Sequence, residues 1–328
     1  MPRIAAKYLA YRLVVSYVTV LLIMTLLFVL VRSTPGSLVD GMVTPGMSAA
    51  DVEGLREQWG VNEPLWRQYL AFMINYQTGE FGVSPTWNVE VWTLIERRLP
   101  RTLILFGAAF LVGYIVGPLV GMYLGWWRGT RRDTYAFTGG LLAYSMPAFW
   151  IAWLLIWLFN YELGLFPSRH MLPLFAENWN AFTLIGRTLH HLALPLFSVA
   201  SVGWVGAMLV MRTRMNAVVD ADYVLLARAK GLSERAVMIK HAGRTALLPV
   251  ATQAIVGIAF IIDGAVVIER VFSWPGMGDL LVRAVLNNDY PTAQAVFVML
   301  AVTIVAMRFL TDVVYTYLDP RIAFGEEP

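Results

Sequence analysis

An all-helical, polytopic membrane protein with six transmembrane helices is the fold class this sequence predicts. Three observations carry it. Hydrophobic residues make up 58% of the 328 residues and charged residues only 14%, where a soluble chain carries about a quarter charged. Mean hydropathy is +0.61. Six long stretches are free or nearly free of charge, and Lys and Arg are shared unevenly among the segments between them. The chain has no cysteine, so disulfides, thiolate nucleophiles and Cys-bound metals are excluded. Twelve Trp and fourteen Tyr suit the membrane interface, where an apolar ring body and a polar N–H or O–H are both satisfied. A net charge of +3 gives no reason to expect a nucleic-acid partner.

The elements follow in order. Arg3, Lys7 and Arg12 precede 19 uncharged residues, Leu13 to Val31, enough to cross about 30 Å of hydrocarbon at about 1.5 Å per residue. A cleaved signal would have a shorter apolar core and an A-x-A site, which does not follow here. Residues 1–31 are therefore an N-terminus and first span. Residues 32–101 form a polar interval with Pro35, Pro45, Pro64 and Pro85. Its aromatic content predicts a small folded insert, with helices over 48–59 and 65–76, rather than a linker. Pro100 suits the first turn of the next helix.

Residues 102–328 are the core. Thr102 to Trp127 is a second span, followed by a short turn with Arg128, Arg131 and Arg132. The third lies within Thr134 to Tyr161 and contains Pro147, which removes a backbone donor and kinks a helix. The fourth runs from about His190 to Met211, the fifth from Thr245 to Ile268 and the sixth from Tyr290 to Leu318. Residues 269–289, with the run WPGMG, read as an outside loop. Fourteen of 25 Lys and Arg fall in the N-terminus, the 128–132 turn, the 212–246 loop and the C-terminus, which together hold far fewer residues than the other connections. Both termini are therefore expected in the cytoplasm.

Charges inside the spans mark polar surroundings. Asp263, followed by Gly264, lies two-thirds along the fifth span. A carboxylate there should line a cavity or be protonated. It is a candidate for the translocation pathway, together with Gly264, Glu269 and Pro147; an interfacial position or a bond to a neighbouring helix is the plainer alternative. Arg308 and Asp312 stand four apart on the sixth helix and are expected to pair. His190 and His191 suit interfacial hydrogen bonding better than a metal.

The stretch from Asp222 to Pro249 is polar and basic between two apolar segments. A helix over 223–230 ends at Gly231, which suits the left-handed position after a helix. Ser233 then caps a second helix. Helix, sharp break, helix on the charged side of a membrane is a device for touching something in the cytoplasm; a basic topology loop is the plainer alternative. The chain has no G-x-x-x-x-G-K-[ST] loop, no H-E-x-x-H helix and no G-x-S-x-G elbow, so nucleotide hydrolysis by that route and zinc or serine proteolysis are unsupported.

At this stretch the sequence resembles a known family. ARAKGLSERAV from Ala227 to Val237, with His241-Ala242 and Leu247-Leu248-Pro249, is similar to the coupling loop of dipeptide/oligopeptide ABC transporter permeases. Leu99 to Leu103, Ser145 to Trp150, Asp222-Tyr223, Glu269 to Gly278, Asp289 to Pro291 and Asp319 to Ile322 resemble further family segments in the same order. The resemblance implies a type I ABC importer permease fold with an extracytoplasmic insert after the first helix. It implies a second, homologous permease, two ATPase subunits that use ATP and Mg, an extracytoplasmic substrate-binding protein and a peptide substrate in the lipid membrane. No cofactor is expected on this chain and no catalysis. Asp222, Tyr223, Ala227, Arg228, Ala229, Lys230, Gly231, Leu232, Ser233, Glu234 and His241 would couple to the ATPase.

Three features depart from the family pattern, Arg308 in the sixth span among them. Leu225-Leu226-Ala227 stand where the broader importer loop has an acidic residue and two alanines, and Asp263 stands where the family has a small neutral residue. The same machine with oligosaccharide or nickel-complex cargo is one alternative. A stand-alone channel or ion-coupled transporter is the other.

Overall fold

This computed structural model describes residues 2–33, 39, 43, 47–58, 60–171, 180–258 and 264–318. Among them the chain is helical, and the one β-type pairing is an isolated bridge between Val83 and Glu90. The helices are α1 (Pro2–Arg32), α2 (Ala49–Gln58), α3 (Leu65–Thr78), α4 (Val91–Trp126), α5 (Arg131–Ser145), α6 (Ala148–Leu155), α7 (Ala181–Val218), α8 (Asp222–Ala229), α9 (Glu234–Ala236), α10 (Arg244–Ile258), α11 (Ala265–Val271), α12 (Met277–Leu286) and α13 (Tyr290–Leu318). π-helical turns over Ile156–Glu162 and Val237–Gly243 extend α6 and α9. Among the described residues α1, α4, α7 and α13 are long and apolar enough to cross a membrane, and the α5–α6 pair adds a fifth if it counts as one span.

The chain divides into two compact units. The first comprises residues 1–102 and 275–328. Here α1 lies along α13, with Met24, Leu27 and Val298 buried between them. Helix α3 rests on α1 through the Thr25–Tyr69 hydroxyl bond at 2.9 Å and Phe28 against the Tyr69 and Phe72 rings. Gly79 ends α3 in the left-handed conformation at φ +84°, its N–H returning to the Asn75 carbonyl. Burial, and after it the Asp289 carboxylate, pushes the Tyr76 phenol up, so it remains a donor to Gln294 Oε1 at 3.3 Å.

Residues 269–289, expected as an outside loop, are helical and partly buried rather than a bare loop. They contain the end of α11 and all of α12, and Glu269, Trp274, Asp279 and Asp289 are buried. In the first unit, Met277, Leu280 and Ala284 recur at helical spacing and are buried. The charges are paired rather than solvated. Asp279 takes Arg283 at 2.8 Å and Arg98 at 3.3 Å. Asp289 accepts the Ser84 hydroxyl and, at 3.0 Å, the Thr292 N–H, so it caps α13. Pro100 also lies elsewhere than expected: α4 begins at Val91, which leaves this proline in the helix interior.

The second unit is residues 103–274. Its spine is the contact of α4 with α7. A Cβ added at Gly117 would stand 2.3 Å from the Trp204 carbonyl oxygen, one at Gly121 2.4 Å from that of Met208, and one at Gly125 2.5 Å from Met215 Cβ. Only glycine lets the backbones approach this closely. Helix α5 ends at Ser145 because Met146 precedes a proline and is driven to extended geometry. The chain then bends by 106° into α6, a break sharper than the kink one proline predicts. The fifth expected span is described as α10 and α11, and residues 259–263 between them, Asp263 included, lie outside the described residues.

Candidate functional site

The 222–243 hairpin has two faces. On α8, Val224 and Ala227 are buried, while Tyr223, Leu225 and Leu226 are exposed, Leu226 by 57%. An eight-residue helix is too short to be stable alone, so its seat comes from packing. Val224, Ala227, Val237 and Ala242 join Trp126 at the end of α4 and Met211, Met215 and Val219 beyond them in one apolar cluster. Asp222 stands in the first turn of α8, where a carboxylate favours the helix dipole.

The break between the helices follows the sequence closely. Gly231 has φ +77°, and its N–H bonds the Arg228 carbonyl at 2.9 Å. An added Cβ would meet nothing within 4 Å, so backbone conformation, not space, demands glycine here. Ser233 Oγ accepts the Ala236 N–H at 3.4 Å and caps α9. Lys230, Leu232, Ser233 and Glu234 face outward with Asp222, Tyr223 and Ala229, and His241 is half-buried. At Gly243 a Cβ would stand 2.8 Å from the Met238 carbonyl oxygen and 2.9 Å from Met122 Cε, so the π turn lies tight against α4.

Arg228 differs from its neighbours. Its guanidinium carbon lies 4.7 Å from the centre of the Trp126 ring, and its Nε and Nη2 donate to Glu234 at 3.1 and 3.4 Å. Two further ion pairs brace the same end of this unit. Asp133, 2% exposed, receives Arg212 Nε and Nη2 at 2.7 and 2.9 Å and the Gly129 N–H at 3.0 Å. Arg128 pairs with Asp220.

The candidate pathway residues fall as follows. Pro147 is exposed at the 106° bend and starts α6. Gly264 has φ +78° and lines a space of about 400 Å³ with Phe106, Ala148, Phe149, Val202 and Ile268. Glu269 is fully buried in α11 and is not among its walls. Asp263 lies outside the described residues. Asp312 is gripped by Arg12, a partner that the Arg308 spacing did not point to. His190 Nε2 meets the Leu165 carbonyl at 2.8 Å and His191 Nδ1 that of His170 at 2.9 Å. Sequence reasoning missed Trp126, Asp133 and Arg212. It also missed Gly113, Gly117, Gly121 and Gly125, though their four-residue spacing is visible in the sequence.

Comparison with known proteins identifies the family. Residues 117–324 match the family described as binding-protein-dependent transport system inner membrane component. The chain is 35% identical over 320 residues to the oligopeptide transport system permease protein AppB of Bacillus subtilis, covering 97% of this chain and 100% of the relative. It is 34% identical to the di/tripeptide transport system permease protein DppB of Pseudomonas aeruginosa, covering 96% and 98%. It is 31% identical to the glutathione transport system permease protein GsiC of Escherichia coli, covering 97% and 99%. With full-length relatives of this kind and a family match over most of its length, the chain belongs to the family of binding-protein-dependent transport system inner membrane components, the ABC permease subunits.

Proposed function

We propose that this chain forms half of the translocation pathway of an ATP-driven importer of di- or oligopeptides. The observation that carries the reading is the two-faced hairpin: a buried inner face seated on α4 and α7, and an outer face of Tyr223, Leu225, Leu226 and Leu232 left exposed beside basic Lys230. Exposed apolar side chains on a rigid, capped break suit a groove on a partner. That partner is an ATPase, two copies of which bind ATP with Mg; this chain itself binds no nucleotide. A second, homologous permease completes the pathway, and a substrate-binding protein delivers the peptide from outside.

Six crossings are proposed: α1, α4, the bent α5–α6 pair, α7, α10 with α11, and α13. Lys and Arg density puts both termini and the hairpin in the cytoplasm. The insert at 32–101 then faces outward. ATP-driven closure of the ATPases moves the hairpin, and the bundle alternates between outward- and inward-open states. The space beside Gly264 and Phe149 is the proposed segment of the route, with Asp263 as the charge most able to discriminate cargo.

The test is uptake into proteoliposomes. The assembled complex is expected to import peptide only with ATP inside the ATPase-bearing compartment and binding protein on the other side. Uptake by this chain alone, driven by an ion gradient, would sink the reading.

A further inference from the structure

One side chain in the hairpin touches three elements at once. Arg228 belongs to α8, lies over Trp126 at the end of α4, and is paired with Glu234 of α9 across the Gly231 break. Its side chain is 32% exposed, against 54% for Glu234. The outer-face residues of the same helix, by contrast, point away from the protein. We propose that Arg228 is a positioning residue, a strut that makes α8, α9 and the end of α4 one rigid piece, and not a docking contact. This rests on the reading of the hairpin as the ATPase-docking element.

The physical case has three parts. An eight-residue helix beside a glycine break has no intrinsic stiffness, so without the strut a push on its outer face would tilt it about Gly231. A guanidinium can lie flat on an indole and present a two-pronged fork to a carboxylate at the same time. A lysine ammonium keeps the charge but offers neither the plane nor the fork. The motion also has somewhere to go. Trp126 follows Gly125, whose added Cβ would stand 2.5 Å from Met215 Cβ. There is no slack between α4 and α7 at this level, so a displaced strut carries both helices with it.

The proposal separates charge from shape, and the experiment uses that. Arg228→Lys, Trp126→Phe and the double variant are compared with wild type in the reconstituted complex, reading retained ATPase subunits, ATP hydrolysis and peptide uptake in parallel. Arg228→Lys is expected to retain the ATPases and keep hydrolysis while uptake per ATP falls roughly fivefold. Trp126→Phe is expected to fall in the same direction, and the double variant to fall by less than the product of the two single defects, because the two share the guanidinium–indole contact. Wild-type coupling in Arg228→Lys, or defects that multiply in the double variant, would overturn the strut. A second reading needs no partner: hydrogen exchange of the 222–236 amides in the purified single chain. Arg228→Lys is expected to speed it roughly fivefold, and unchanged exchange would overturn the strut even if the chain proved to have no ATPase partner. Loss of the ATPases from wild type itself would instead remove the functional reading.

Discussion

Arg12 and Asp312, 300 residues apart in sequence, are joined by a two-pronged ion pair, Nε to Oδ2 at 2.7 Å and Nη2 to Oδ1 at 2.5 Å. The pair closes α1 against α13 in the first unit. Asp312 is 14% exposed and Arg12 38%, so the bond is part-buried and partly screened. Arg12→Ala is expected to cost about 1–2 kcal/mol, discounted from the roughly 3–5 of a fully buried pair. A lowered unfolding midpoint in detergent checks it, with recovery expected in the exchanged pair Arg12→Asp with Asp312→Arg.

The Asp133–Arg212 pair of the second unit is better shielded. Asp133→Asn leaves the part-buried Arg212 guanidinium, 20% exposed, without its charge partner, and about 2–4 kcal/mol of destabilisation is expected. Arg212→Lys is expected to recover only part of that, because the two-pronged geometry and the stacking over Phe137 at 4.5 Å are lost. Both are read from thermal unfolding of the purified chain.

Glycines along α4 separate into two kinds. Gly121→Ala forces its new methyl against the Met208 backbone and is expected to cost about 1–3 kcal/mol. Gly107→Ala meets nothing within 4 Å and is expected to be neutral or to gain up to about 1 kcal/mol from helix propensity. Equal effects at the two sites would remove the close-approach explanation.

At Gly231 space is free and only the positive φ opposes a side chain. Gly231→Asn is therefore expected to be milder than Gly231→Ala, which costs about 1 kcal/mol, and Gly231→Val the most severe. Peptide uptake at equal protein level should follow the same order.

Much of the hairpin was legible in the sequence. A glycine at the end of a short helix and a serine two residues on are local signals, and local signals report local geometry. The last helix, Tyr290–Leu318, was legible for the same reason, as an uninterrupted apolar stretch. Residues 269–289 were not. Hydropathy weighs each side chain as if isolated, and Asp279 reads as exposed until Arg98, 181 residues away, is seen to pair with it. Arg228 shows the converse limit. Its place in the ARAKGL motif identified the element, but only the position of Trp126, over a hundred residues earlier, reveals that the side chain turns inward.

The most direct test of the central claim is affinity purification of the tagged chain in mild detergent, comparing wild type with Leu226→Asp on the exposed face of α8. Wild type is expected to bring down a second membrane permease and ATPase subunits carrying a phosphate loop. Leu226→Asp, at equal membrane level, is expected to keep the permease and lose the ATPases. Recovery of the wild-type chain alone from transport-competent membranes, or undiminished ATPase on Leu226→Asp, would contradict it.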